Sequence, residues 1–130
     1  MGYRSEVVLA ISKEMVPYFM VTMAQCPDIR GLVFEHADRL DQNYDDEGGW
    51  LMHWSDIKWY ETYPEIATIE KFIENCDCDM LESWTAETEE EHGSVYQNFR
   101  FIRMGEEYDD VKSLGEFCYD SIYLSREVSF

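Results

Sequence analysis

The sequence predicts an α+β fold: a ferredoxin-like two-layer sandwich, with a mostly antiparallel sheet, two helices on one face and an added C-terminal strand. Three observations predict it. Residues 3–11 form an apolar run with no polar alternation at Val7, Val8, Leu9, Ala10 and Ile11. Two stripes at helical spacing follow, one over 13–25 and one from Pro64 to Ile73. Shorter turn-bounded runs fill the chain between and after them.

The elements are justified in order. A run apolar on both sides suits a central strand covered on both faces. Ser12 is the expected N-cap of the first helix, in which Met15, Phe19 and Met23 recur at i, i+4 and i+8. Pro17 is tolerable there only near the helix start, and Pro27 and Gly31 are expected to close the region. Residues 32–41 fit either a helix or a strand. The turn cluster Asn43, Asp45, Asp46, Gly48 and Gly49 behind them favours a strand, paired with Trp50–Trp54 as a hairpin. Pro64 opens the second helix, with Glu65 in its first turn and Ile66, Ile69, Phe72 and Ile73 as its apolar stripe. Runs at 81–89 and 95–104 predict a hairpin around His92 and Gly93. An acidic loop at 105–116 then leads to a last strand near 121–129. At 130 residues the chain predicts one domain, 1–130, with no linker or repeat.

Charge dominates the composition. Asp and Glu number 28 against 10 Lys and Arg, a formal net of −18. Hydrophobic residues still make up 45% of the chain, enough for a core and against disorder. So acidic a chain does not suit direct binding to nucleic-acid phosphates or to an anionic membrane. A basic protein surface is the compatible partner. No signal-like segment or spanning apolar run is seen, so a cytoplasmic location with free thiols is expected at Cys26, Cys76, Cys78 and Cys118. Cys76-x-Cys78 lacks zinc spacing, and the loop Asp41–Gly49 has Asp46 where a calcium loop needs glycine. No metal and no cofactor are expected. No nucleophile elbow or phosphate loop is present, and no enzyme activity is expected.

The acidic residues are unevenly spread. Residues 74–110 hold 12 carboxylates against Arg100 and Arg103, and the other 93 residues share the remaining −8. Over a folded surface of about 7,000 Å², 18 charges give one per roughly 400 Å². A DNA duplex carries about one per 100 Å². A nucleic-acid-like surface therefore requires the acidic segments to converge on one face. The candidate contacts are Glu87, Glu89, Glu90, Glu91, Glu106, Glu107, Asp109 and Asp110, with Asp45, Asp46 and Glu47 as a second patch. The alternative is a solvated surface that only aids solubility. Trp50, Trp54, Trp59, Tyr60 and Tyr63 fall within 14 residues. Trp59, Tyr60 and Tyr63 form a candidate aromatic interface, which a homo-oligomeric scaffold would also use.

Three segments carry a resemblance: Gly2-Tyr3-Arg4-Ser5-Glu6-Val7, Ile57-Lys58-Trp59-Tyr60 followed by Pro64-Glu65, and Phe101 through Asp110. They resemble stretches of small uncharacterised proteins encoded by bacteriophages, although residues 79–98 are longer and more acidic than in that group. The resemblance implies an accessory inhibitor, of the anti-restriction or anti-CRISPR kind, that occupies the nucleic-acid site of a host enzyme. It implies no catalytic residues.

Overall fold

A computed structural model describes residues 3–74, 95–107, 109–118, 122–124 and 128–129. Among them the chain is α+β, with a five-stranded antiparallel sheet and three α-helices. Strand β1 (Ser5–Ile11) leads to helices α1 (Val16–Gln25) and α2 (Asp28–Phe34). Strands β2 (Arg39–Asp41) and β3 (Trp50–Ile57) follow, then helix α3 (Pro64–Glu74). A 3₁₀ turn (Val95–Asn98) enters β4 (Phe99–Met104), which pairs with β5 (Val111–Gly115). The sheet order is β2-β3-β1-β4-β5. Two short strands, β6 (Tyr123–Leu124) and β7 (Val128–Ser129), form a separate sheet.

The apolar run at the start becomes the centre of the sheet because both its faces are covered. Val7, Leu9 and Ile11 pack under the helices with Trp50, Met52, Trp54, Phe99 and Phe101. Val8 and Ala10 face the other way, against Leu51, Ile102 and Ile122, with Phe117 and Cys118 beside them. Each large apolar side chain so buried contributes about 1.5–3 kcal/mol. Aromatic rings fill the helix-side layer edge to face: Phe19 lies 5.4 Å from Phe72 and 6.3 Å from Trp50.

Several sequence expectations are corrected here. The first helix begins at Val16 and not near residue 13, because Pro17 occupies its first turn and can stand only there. Met15 takes the cap position, and Ser12 caps nothing with its side chain. Leu32–Phe34 belong to α2, not to a strand. Ile29, Leu32 and Val33 recur at i, i+3 and i+4, and all three are buried. Gly31 therefore lies inside a helix. The expected loop at 105–116 contains β5, whose Lys112 and Leu114 alternate inward despite the surrounding charge. The added main-sheet strand is thus β5, while the described residues of the 121–129 stretch hold the β6–β7 pair. The run 81–89 lies outside the described residues.

Candidate partner-binding surface

Strand register divides the acidic segments between the two ends of the sheet. At one end Ile11 is opposite Trp50 and Phe99, and the β2–β3 turn emerges there. At the other, Glu6 is opposite Met104 and Ser5 opposite Ile57, and the β4–β5 turn emerges there. The seven residues of β1 separate these ends by about 20 Å. Asp45, Asp46 and Glu47 therefore do not share a surface with Glu106, Glu107, Asp109 and Asp110. Glu87, Glu89, Glu90 and Glu91 lie outside the described residues.

The β4–β5 turn is fixed from outside. Tyr3 donates its hydroxyl to Asp110 Oδ2 at 2.6 Å and accepts the Glu107 N–H at 3.0 Å. Arg103 reaches Asp110 Oδ1 at 3.2 Å. The hydrogen bond to Asp110, above all, raises the Tyr3 phenol above its ordinary value. A Cβ on Gly105 would run into Asp110 Oδ2 and the Tyr3 hydroxyl, so a side chain there would displace the bond on which the turn closes. Asp110 is thus half-buried and structural. Glu106, Glu107 and Asp109 are exposed, and among the described residues their carboxylates make no hydrogen bond or ion pair.

Behind this turn lies a buried polar bridge. Glu70 is 5% exposed. It accepts the Trp59 indole N–H at 2.8 Å and Lys112 Nζ at 2.7 Å. Lys112 also pairs with Glu74. Burial works to lower the Lys112 pKa, but its bonds to Glu70 and Glu74 outweigh burial and raise it. The bridge ties edge strand β5 to α3.

The candidate aromatics separate. Trp59 is 6% exposed and lies between Trp54, at 5.4 Å, and Phe101, at 6.0 Å. It belongs to the core, with its indole N–H on a buried acceptor, Glu70, and only its edge reaches the cleft described below. Tyr60 is half-buried, Tyr63 is exposed, and their rings lie 5.5 Å apart, tilted by 40°.

Two clefts flank the Ile57–Tyr63 connection. One, of about 390 Å³, is lined by Tyr3, Trp59, Tyr60, Glu61, Glu70, Arg103, Asp110 and Lys112. The other, of about 490 Å³, has Leu32, Trp54 and Ile66 as its apolar part and Arg4, His36, Asp38, Asp56, Lys58 and Glu65 around it. Asp38 accepts both the backbone N–H and the hydroxyl of Ser55, which lowers its pKa. The β4–β5 turn, Tyr60 and Tyr63 thus belong to one end of the molecule.

Sequence reasoning missed Tyr3, Glu61, Glu70, Arg103 and Lys112. Glu70 had a signal: it lies four residues after Ile66 and three before Ile73, inside the apolar stripe. Arg103 had one too, since it continues the Phe99–Phe101 alternation onto the helix-facing side. Tyr3 and Glu61 had none.

Among the described residues no three metal-ligating side chains cluster, and no helix is long and apolar enough to cross a membrane. No protein-family model matches this chain, and no curated protein or solved structure is significantly similar to it.

Proposed function

We propose that this chain is a binding protein that docks, through the tyrosine-bearing acidic end of its sheet, on the basic nucleic-acid-handling surface of another protein and blocks it. The observation that carries the reading is the gathering of exposed Glu106, Glu107 and Asp109 beside the cleft that holds Tyr60. Two cations of this end are turned to internal use: Arg103 holds Asp110, and Lys112 holds Glu70 and Glu74. Arg100, on the opposite face of β4, is buried on the carbonyls of Gly115 and Ile122. An aromatic centre with a charged rim suits a protein interface, and the charge would speed encounter with a basic partner. The order β2-β3-β1-β4, with helices on one face, supports reading the fold as a ferredoxin-like sandwich extended by β5. A bacteriophage setting and a cytoplasmic site of action belong to the same proposal.

The test is capture of partners from bacterial lysate at low and high salt. A nucleic-acid-binding protein recovered only at low salt, and displaced by DNA or RNA, is the expected result. The triple variant E106K/E107K/D109K should lose it. Capture that survives both the salt and the triple variant would refute the reading.

A second reading, self-association, is favoured by α1. It carries no charged residue, and Met20 and Val21 are 52% and 58% exposed. Sedimentation at high salt should then show a dimer that Val21→Glu dissolves.

A further inference from the structure

The smaller cleft has the chemistry of a cation site. Of its two internal cations, Lys112 is bound to Glu70 at 2.7 Å and Arg103 reaches Asp110 through Nη2 at 3.2 Å, its Nε having no acceptor among the described residues. Glu61 is exposed at its rim and, among the described residues, its carboxylate has no partner. Tyr60 is part of its lining, with the Tyr63 ring 5.5 Å away and tilted by 40°. A volume of about 390 Å³ lies near the lower bound for ligand pockets, enough for one side chain. The lining carries three carboxylates, Glu61, Glu70 and Asp110, against two cations, Arg103 and Lys112, so its balance is negative.

We propose that this cleft receives the guanidinium of an arginine side chain presented by a protein partner, paired with Glu61 and stacked on Tyr60. Arginine suits it better than lysine, because a planar guanidinium can bond a carboxylate through two N–H groups and lie flat on an aromatic ring. The inference rests on the binding reading above for the source of the arginine, but the cleft can be tested without any partner. The Trp59 indole N–H is the reporter, since it is fixed on Glu70 at the cleft wall.

The experiment is an NMR titration of the full chain with N-acetyl-arginine amide and, separately, with N-acetyl-lysine amide. A saturable shift of the Trp59 indole signal in the millimolar range is expected with the arginine probe, and a weaker response with lysine. Glu61→Gln should weaken the arginine probe about five- to tenfold, the loss of one charge-assisted contact. Tyr60→Ala should weaken it as well, and Tyr60→Phe should not. The E106K/E107K/D109K variant should bind the probe like the parent. An unmoved indole, equal affinity for lysine, or full affinity in Glu61→Gln each overturns the cleft assignment. Probe binding without capture of any basic partner keeps the cleft and removes the docking reading. Partner capture untouched by Glu61→Gln and Tyr60→Ala removes the cleft as the partner's anchor.

Discussion

The two acidic turns of this sheet look alike in composition and are built in opposite ways. The β2–β3 turn is held by its own residues. Asp41 accepts the Asn43 N–H at 2.9 Å, and Asn43 accepts the Gly48 N–H at 2.9 Å. Asp45 accepts the N–H groups of Glu47 and Gly49 at 3.1 and 2.8 Å. Asp46 and Gly48 take left-handed backbone conformations, with φ of 62° and 97°. The β4–β5 turn has its own backbone bonds, Gly105 N–H to Asp110 and Asp110 N–H to Glu107, and is held besides by residues remote in sequence, Tyr3 on one side and the Lys112–Glu70 bridge behind it. In the first turn carboxylates substitute for missing backbone partners. In the second a single carboxylate, Asp110, holds the turn, and the other acids are left outward. Acidic residues in a turn are therefore not interchangeable: what matters is whether a backbone N–H needs them.

Breaking the remote anchors should cost most. Glu70→Ala leaves the buried Trp59 N–H without its acceptor and removes the more buried partner of Lys112. It should destabilise the fold by about 3 kcal/mol, read as a lower urea midpoint at unchanged m. Asp45→Ala removes two backbone bonds from the self-held turn and should cost about 2 kcal/mol by the same measurement. Its effect should add to that of Glu70→Ala, because the sites share no partner. Non-additivity would show that the two turns are coupled.

Tyr3→Phe should have a smaller effect on the midpoint but a local one on dynamics. Amide exchange should quicken over 105–110 and stay unchanged over 42–49. The same contact makes a pH prediction. The folded Tyr3 phenol has a raised pKa, so its contribution is complete below the ordinary value of 10.0 and is lost as pH rises through the folded value. Alkaline titration should loosen the β4–β5 turn, and Tyr3→Phe should abolish that pH dependence.

The smallest effect on stability is expected from E106K/E107K/D109K, within about 0.5 kcal/mol, since these side chains hold nothing. Relief of the −18 net charge should make the shift slightly stabilising. A large loss of stability would mean that these carboxylates are structural after all, which would erase the contrast with Asp45.

The sequence by itself determined the central strand, α3 and the α+β class, because each rests on a local period that only burial could produce. Val7 through Ile11 could not be an edge, and Ile66, Ile69 and Phe72 could not be a strand. It also determined the net charge. It misjudged α2, where one glycine was read as a terminator although Ile29, Leu32 and Val33 already marked a helix face. It misjudged β5, where charge hid the inward alternation of Lys112 and Leu114. Only the tertiary structure decided which acids share an end of the sheet. Strand register sends the 45–47 turn and the 106–110 turn to opposite ends, and register depends on pairings made far apart along the chain. Packing took Trp59 into the core and left Tyr60 at the cleft, since only one of these neighbours found a buried acceptor.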